Sequence, residues 1–304
     1  MKVTETYTSV LQAHVRFHIY SPEVILRNKA IISIHHGLTE HADLYESFAH
    51  FLVSKGFIVV VSDTIGHGKS LIDFEQGYFG EGNISKSLME DMKHLFDVIR
   101  LRYPDLPYFL LGYDFGSTLV REFISEYGEC VDGVILLSPY TRINDAFVKK
   151  AYLKISSLFY GQMHKPKLFY AFVNKMKNRR LNMKVHGLSW MAHENSLNEL
   201  YLSDPMTHFV YTIKGYNEIF KMIELVNKDE TINKTPKHLM MYIASGLEDP
   251  TIYKPEIIVD KYKKQGLDVT YHLFKNRRHA ILLEENRQEV YYDIYNWLND
   301  HIFM

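Results

Sequence analysis

The sequence predicts an α/β fold: a mostly parallel sheet covered by helices on both faces and interrupted by a helical insertion. Three observations lead there. Short apolar runs such as Ala30-Ile31-Ile32-Ser33-Ile34 and Phe57-Ile58-Val59-Val60-Val61 carry no polar alternation, so both of their faces are expected to be buried. These runs alternate with amphipathic stretches across short links, which is the signature of right-handed βαβ units. From about residue 141 the strand signal stops and a helical texture replaces it for some sixty residues, before strands return near 239. At 304 residues, 46% of them hydrophobic, the chain is long enough for one large domain with an insertion, here placed at 141–202 between core segments 1–140 and 203–304.

Taken in order, Val15-Arg16-Phe17-His18-Ile19-Tyr20 alternates with period two and reads as a strand. The run at 30–34 leads into His35-His36-Gly37. Leu44, Phe48, Phe51 and Leu52 then fall on one helical face, and Gly56 ends that helix before the strand at 57–61. A helix over 84–103, a strand at 108–111, a helix over 115–128 and a strand at 134–137 follow. Strands at 239–244 and 269–274 come after the insertion, and a last helix carries Val290, Ile294, Trp297 and Leu298. The insertion is placed after roughly the sixth strand.

Charge divides the chain unevenly. The net charge is −1, which excludes a generally nucleic-acid-binding surface, but residues 142–190 hold eleven Lys and Arg against one acid, Asp145. Tyr152, Leu158, Phe159, Tyr160, Met163, Phe169, Tyr170 and Phe172 lie among those lysines. The plainer reading is a solvated helical face with an apolar underside; the functional one is a lid that rests on anionic lipid head groups. No nucleic-acid motif accompanies the patch. The one cysteine, Cys130, excludes an intramolecular disulfide and a multi-cysteine metal site, and fits a cytoplasmic setting. The start is not a signal peptide, and no run of 18 apolar residues is present for a membrane span.

Four pieces carry chemistry. Gly112-Tyr113-Asp114-Phe115-Gly116 follows an apolar strand and opens a helix, the setting of a strained strand-to-helix elbow that presents its middle residue. His36-Gly37-Leu38 ends the strand at 30–34, where the Leu38 and Phe115 amides could converge on one oxygen. Gly246-Leu247-Glu248-Asp249-Pro250 and Arg277-Arg278-His279-Ala280 follow two late strands, at the sheet edge where sites form in open α/β folds. Nucleophile position, acid and base thus run in the order 114, 249, 279. His35, His41 and His67 read as loop-shaping, and His164, His186 and His193 have no ligand spacing. Trp190 and Tyr201 read as packing residues where the insertion rejoins the core, and Glu284 and Glu285 as first-turn acids of the last helix.

These residues resemble the monoacylglycerol lipase and lysophospholipase branch of the α/β-hydrolases. The likeness rests on His36-Gly37-x-x-Glu40-His41, Asp63-x-x-Gly66-His67-Gly68-x-Ser70, Tyr103-Pro104-Asp105-Leu106-Pro107, Asp204-Pro205, Gly246-x-x-Asp249-Pro250 and Arg278-His279, and runs from about residue 5 to 299. The resemblance implies an α/β-hydrolase fold, Asp249 as triad acid, His279 as base, and Leu38 and Phe115 as oxyanion donors. It also implies a lid over an acyl pocket, an acyl-lipid or small-ester substrate, and no cofactor or metal.

The chain departs from that pattern where the family has serine and it has Asp114. A carboxyl group with an ordinary pKa of about 3.9 has no proton to hand to a base at neutral pH. His279 between two carboxylates is expected to hold its proton and to be a poor general base. Related branches use an aspartate to displace at sp3 carbon, but their tryptophan after the aspartate is here Phe115, and their proline after His-Gly is absent at Leu38-Thr39. Three readings stand: an impaired ester hydrolase, an aspartate-nucleophile hydrolase, or a non-catalytic lipid-binding protein.

Overall fold

A computed structural model describes residues 1–23, 29–181 and 187–302; Lys184 and His186 of the insertion lie outside the described residues. Eight strands form one sheet: β1 Lys2–Thr8, β2 His14–Tyr20, β3 Ile31–His35, β4 Ile58–Ser62, β5 Tyr108–Tyr113, β6 Gly133–Leu137, β7 Met240–Gly246 and β8 Asp268–Phe274. Their order is β1-β2-β4-β3-β5-β6-β7-β8. β1 with β2 and β2 with β4 are antiparallel, and every later pair is parallel. The helices are α1 Glu46–Ser54, α2 Ile84–Arg102, α3 Phe115–Tyr127, α4 Ala146–Tyr160, α5 Lys167–Arg180, α6 Asn195–Ser203, α7 Ile213–Val226, α8 Asp229–Ile232, α9 Glu256–Gln265 and α10 Gln288–His301.

The apolar runs become the parallel centre. β3, β4, β5 and β6 are buried at every position. Alternate residues serve different layers: Ile58, Val60, Leu110, Val134 and Leu136 pack with α2, α3 and α7, while Val59, Val61, Phe109, Leu111 and Ile135 pack with α1 and α10. Each such aliphatic side chain contributes roughly 1.5–3 kcal/mol on burial, which is why the central strands tolerate no polar alternation. β1 escapes the sequence reading because it is an edge strand of alternating half-exposed and exposed residues, rich in Thr and Glu. Helices α4 to α8 run between β6 and β7. The aromatic residues of that stretch are not a uniform underside: Phe169 is buried, but Leu158, Phe159 and Tyr160 are exposed. No helix among the described residues is long and apolar enough to cross a membrane.

Register brings the loops that matter to one edge. His35 pairs with Gly112, Tyr113 with Leu137, and Leu137 with Ala244, so β3, β5, β6 and β7 end side by side. At the β5–α3 turn the backbone runs so close to its neighbours that side chains are excluded. A Cβ on Gly116 would lie 1.9 Å from the carbonyl oxygen of His35, and one on Gly112 would lie 2.4 Å from that of Gly116. Gly116→Ala is therefore expected to destabilise the fold by about 3 kcal/mol or more, the upper range of overpacking, measured as a fall in the denaturant midpoint; an unchanged midpoint would contradict this packing.

Candidate active site

Asp114 stands at the sharp turn between β5 and α3 with φ 52° and ψ −114°. A non-glycine residue in this region costs on the order of 1–3 kcal/mol, and such strain persists only where surrounding contacts hold it. Here both backbone groups of Asp114 are bonded: Asp114 N donates to Leu137 O at 2.9 Å, and Asp114 O accepts from the Ser117 side chain, Oγ, at 2.5 Å. The carboxylate does not cap α3. It turns outward, buried, and its two oxygens part company. Oδ2 accepts from the Leu38 amide at 2.8 Å. Oδ1 lies 3.7 Å from His279 Nε2. Of the two amides expected to converge here, only that of Leu38 donates to the carboxylate among the described residues.

His279 comes from the loop after β8, and its Nδ1 lies 2.8 Å from Asp249 Oδ2. Asp249 follows β7 and its other oxygen accepts from Thr251 N at 2.8 Å and Thr251 Oγ1 at 2.7 Å. The structure thus brings together all three of 114, 249 and 279. Burial alone would pull the imidazole down, but Asp249, by charge and hydrogen bond, and then Asp114 outweigh it, so His279 holds its proton above the ordinary histidine range. Asp249 is displaced the opposite way: burial opposes its ionisation, but His279 and Thr251 hold it below the usual carboxylate value.

The loop of Gly37 and Leu38 is held by buried groups, two of which the sequence marked only by motif. Glu40 Oε2 accepts from Gly37 N at 2.9 Å and from Tyr45 Oη at 2.6 Å, and Oε1 accepts from Tyr201 Oη at 2.5 Å. Burial raises the Glu40 pKa while these donors oppose it. His36 Nδ1 donates to Gly37 O at 2.8 Å and its Nε2 accepts from Thr64 N at 2.9 Å, tying this loop to the one after β4. Burial pushes His36 down to about 4, so it stays neutral and can do both. His67 is likewise structural: Nδ1 lies 3.1 Å from Ile65 O and Nε2 2.6 Å from Tyr211 Oη, which also accepts from Thr39 N at 2.8 Å. His41 Nε2 lies 2.8 Å from Asp204 Oδ2.

Trp190 and Tyr201 do more than pack. The Trp190 ring lies 5.0 Å from that of His279, and the Lys177 ammonium sits 3.4 Å over the indole. Nothing in the spacing of the insertion singles out these partners, because they meet only in three dimensions. Glu284 corrects an expectation. α10 begins at Gln288, and Glu284 is buried before it, accepting from Arg278 N at 3.0 Å. Burial lifts it to about 7. It braces the loop that carries His279 and does not serve a helix terminus.

Beside Asp114 a cavity of about 100 Å³ opens. Leu38, Tyr140 and Thr251 line it, together with the apolar or aromatic side chains of Phe169, Tyr216, Ile219, Phe220 and Ile223. Tyr140 is held protonated well above its usual range, first by burial and then by the Asp114 carboxylate. Among the described residues no group of three or more His, Cys, Asp or Glu could hold a metal ion.

Comparison with known proteins supports the family and the fold. The model of the serine aminopeptidase S33 family matches residues 27–286. Monoglyceride lipase of Mus musculus is 23% identical over 278 residues, spanning 90% of this chain and 84% of that enzyme. A highly thermostable carboxyl esterase from Bacillus coagulans, solved in complex with glycerol, has a TM-score of 0.88 at 24% identity over 99% of both chains. A soluble variant of monoglyceride lipase from Saccharomyces cerevisiae, solved with a substrate analog, has a TM-score of 0.76 at 15% identity over 99% of this chain and 95% of the other.

The charge arrangement sets an expected titration. Because the folded pKa of His279 lies above its unfolded value, its contribution to stability is complete below about pH 6.5 and is lost as pH rises through the folded value. Asp114→Asn removes one of the two carboxylates facing the ring and should move the His279 midpoint down, read by NMR of the imidazole carbons. An unmoved midpoint would mean that Asp114 exerts no field on the ring.

Proposed function

The chain belongs to the serine aminopeptidase S33 family of α/β-hydrolases, in its monoglyceride-lipase-like branch, and from that premise we propose that it takes acyl glycerides or lysophospholipids into the cavity beside His279 as an ester hydrolase whose turnover Asp114 impairs. The bond from the Leu38 amide to Asp114 Oδ2 carries this reading. In acyl transfer that amide serves the oxyanion of the tetrahedral intermediate. Here the side chain itself takes the donor, and loss of one such donor costs about 3 kcal/mol of barrier.

The second impediment is the tighter hold of His279 on its proton. A general base must be unprotonated when the nucleophile attacks, and the imidazole here lies between Asp114 and Asp249. Attack by Asp114 Oδ1 on an acyl carbon would form a mixed anhydride, a poor route from a weak nucleophile. Phe115 after the aspartate and Leu38-Thr39 after His36-Gly37 weigh against the displacement alternative.

Asp114→Ser returns a hydroxyl to the elbow and frees the Leu38 amide. It is expected to raise kcat/KM for p-nitrophenyl butyrate by about 100-fold or more, the scale of one restored oxyanion donor. A folded Asp114→Ser protein with no gain would sink the reading of an impaired serine-hydrolase site.

Within the same reading, residues 141–202 form a lid that rests on anionic membrane. The support is chemical: Phe147, Leu158, Phe159 and Leu168 are exposed, with Phe147 at 85%, and the exposed Lys150, Lys154 and Lys167 lie among them. Such a surface gains from apolar insertion and from attraction to acidic head groups. Binding to phosphatidylserine-rich vesicles should weaken as salt rises and fall several-fold in a Leu158→Asp, Phe159→Asp double variant. Binding insensitive to both changes would rule out this surface.

A further inference from the structure

The cavity beside Asp114 is lined by two unlike kinds of side chain. Phe169, Val173, Tyr216, Ile219, Phe220 and Ile223 are apolar or aromatic, and Arg142, Lys149, Lys177 and Arg180 are cationic. The one acid among the lining residues, Asp145, is engaged: Arg180 Nη2 donates to Asp145 Oδ2 at 3.0 Å. Lys149 and Lys177 form no ion pair with any described residue; Lys177 has only the indole face of Trp190.

Unpaired half-buried ammonium groups are costly. The cost is visible in their chemistry, since burial, ahead of the neighbouring cations, lowers both lysines to about 8. Of the charges acting on Lys177, that of Asp114 is the largest, with Asp249 behind Lys149. The cavity lining still carries four cationic side chains, Arg142, Lys149, Lys177 and Arg180, against one acid, Asp145. A neutral glyceride matches the apolar side chains and offers the ammonium groups no counter-charge.

We propose that this cavity selects a single-chain anionic amphiphile, its chain along Phe169 and Phe220 and its acid group, a phosphate or carboxylate, between Lys149 and Lys177. The proposal rests on the cavity being the acyl-ligand site and names the ligand class that site prefers. A charge-assisted contact between an ammonium and an oxyanion is about twice as strong as a neutral hydrogen bond, and two of them distinguish an acid from an alcohol of the same chain length.

The test uses the unaltered protein, in isothermal titration below the micellar concentration, with three twelve-carbon probes: dodecyl phosphate, dodecanoate and 1-monododecanoylglycerol. At least one acid is expected to bind about tenfold or more tighter than the neutral glyceride, and the stronger of the two identifies phosphate or carboxylate as the source. In a Lys149→Met, Lys177→Met double variant the ratio of acid to glyceride affinity should fall to about one. Lys177→Arg, which keeps the charge, should retain most of the preference. Equal binding of acid and glyceride by the unaltered protein would overturn the anionic selectivity and leave the acyl site standing. Binding of none of the three would overturn both. A preference that survives the double methionine variant would overturn the assignment to these two lysines.

Discussion

One carboxylate sets the terms for everything around it. Asp114 is held on a strained turn with one oxygen on the Leu38 amide and the other facing the His279 ring. A serine oxygen at that position is a single atom that meets the base and leaves the amide open. A carboxylate has two oxygens and a full charge, so it reaches both. The Leu38 amide has a partner, and the His279 imidazole holds its proton more tightly. The same carboxylate is the largest charge acting on Lys177 of the neighbouring cavity.

The frame that holds this carboxylate is largely backbone. Gly116 approaches the His35 carbonyl so closely that no side chain fits between β3 and the start of α3, and the Leu38 amide lies within reach of the same elbow. The aligned ends of β3, β5, β6 and β7 then carry the loops of Leu38, Asp114 and Asp249 to one edge. Asp114 stands within this scaffold, its backbone held by Leu137 O and Ser117 Oγ.

Much of this was legible in the sequence. Central strands announce themselves by runs such as Phe57–Val61, since burial on both faces forbids alternation. The elbow, Asp249 and His279 were readable because each follows a strand and because the order along the chain matches the family. Contacts of the insertion were not. Trp190 against His279, Lys177 over Trp190 and Tyr201 on Glu40 depend on how α5, α6 and the segment between them fold back on the core, and no periodicity encodes that. Glu284 was misread for a related reason. A short acidic pair ahead of a helix looks like a first turn, but the chain takes an extra turn before Gln288 and directs that carboxylate inward to the Arg278 amide.

Glu40 has a wider consequence. Its donors come from Gly37 on the loop it steadies, from Tyr45 nearby, and from Tyr201 on α6, far along the chain. A buried carboxylate that loses one of several donors is left with an uncompensated oxygen, and groups sharing one network do not contribute independently. Positions 40, 45 and 201 are thus bound to one another in their evolutionary freedom: a change at any one alters what the other two can accept. The insertion is thereby tied to the end of β3 through Tyr201, a residue whose variation its own local fold would otherwise permit.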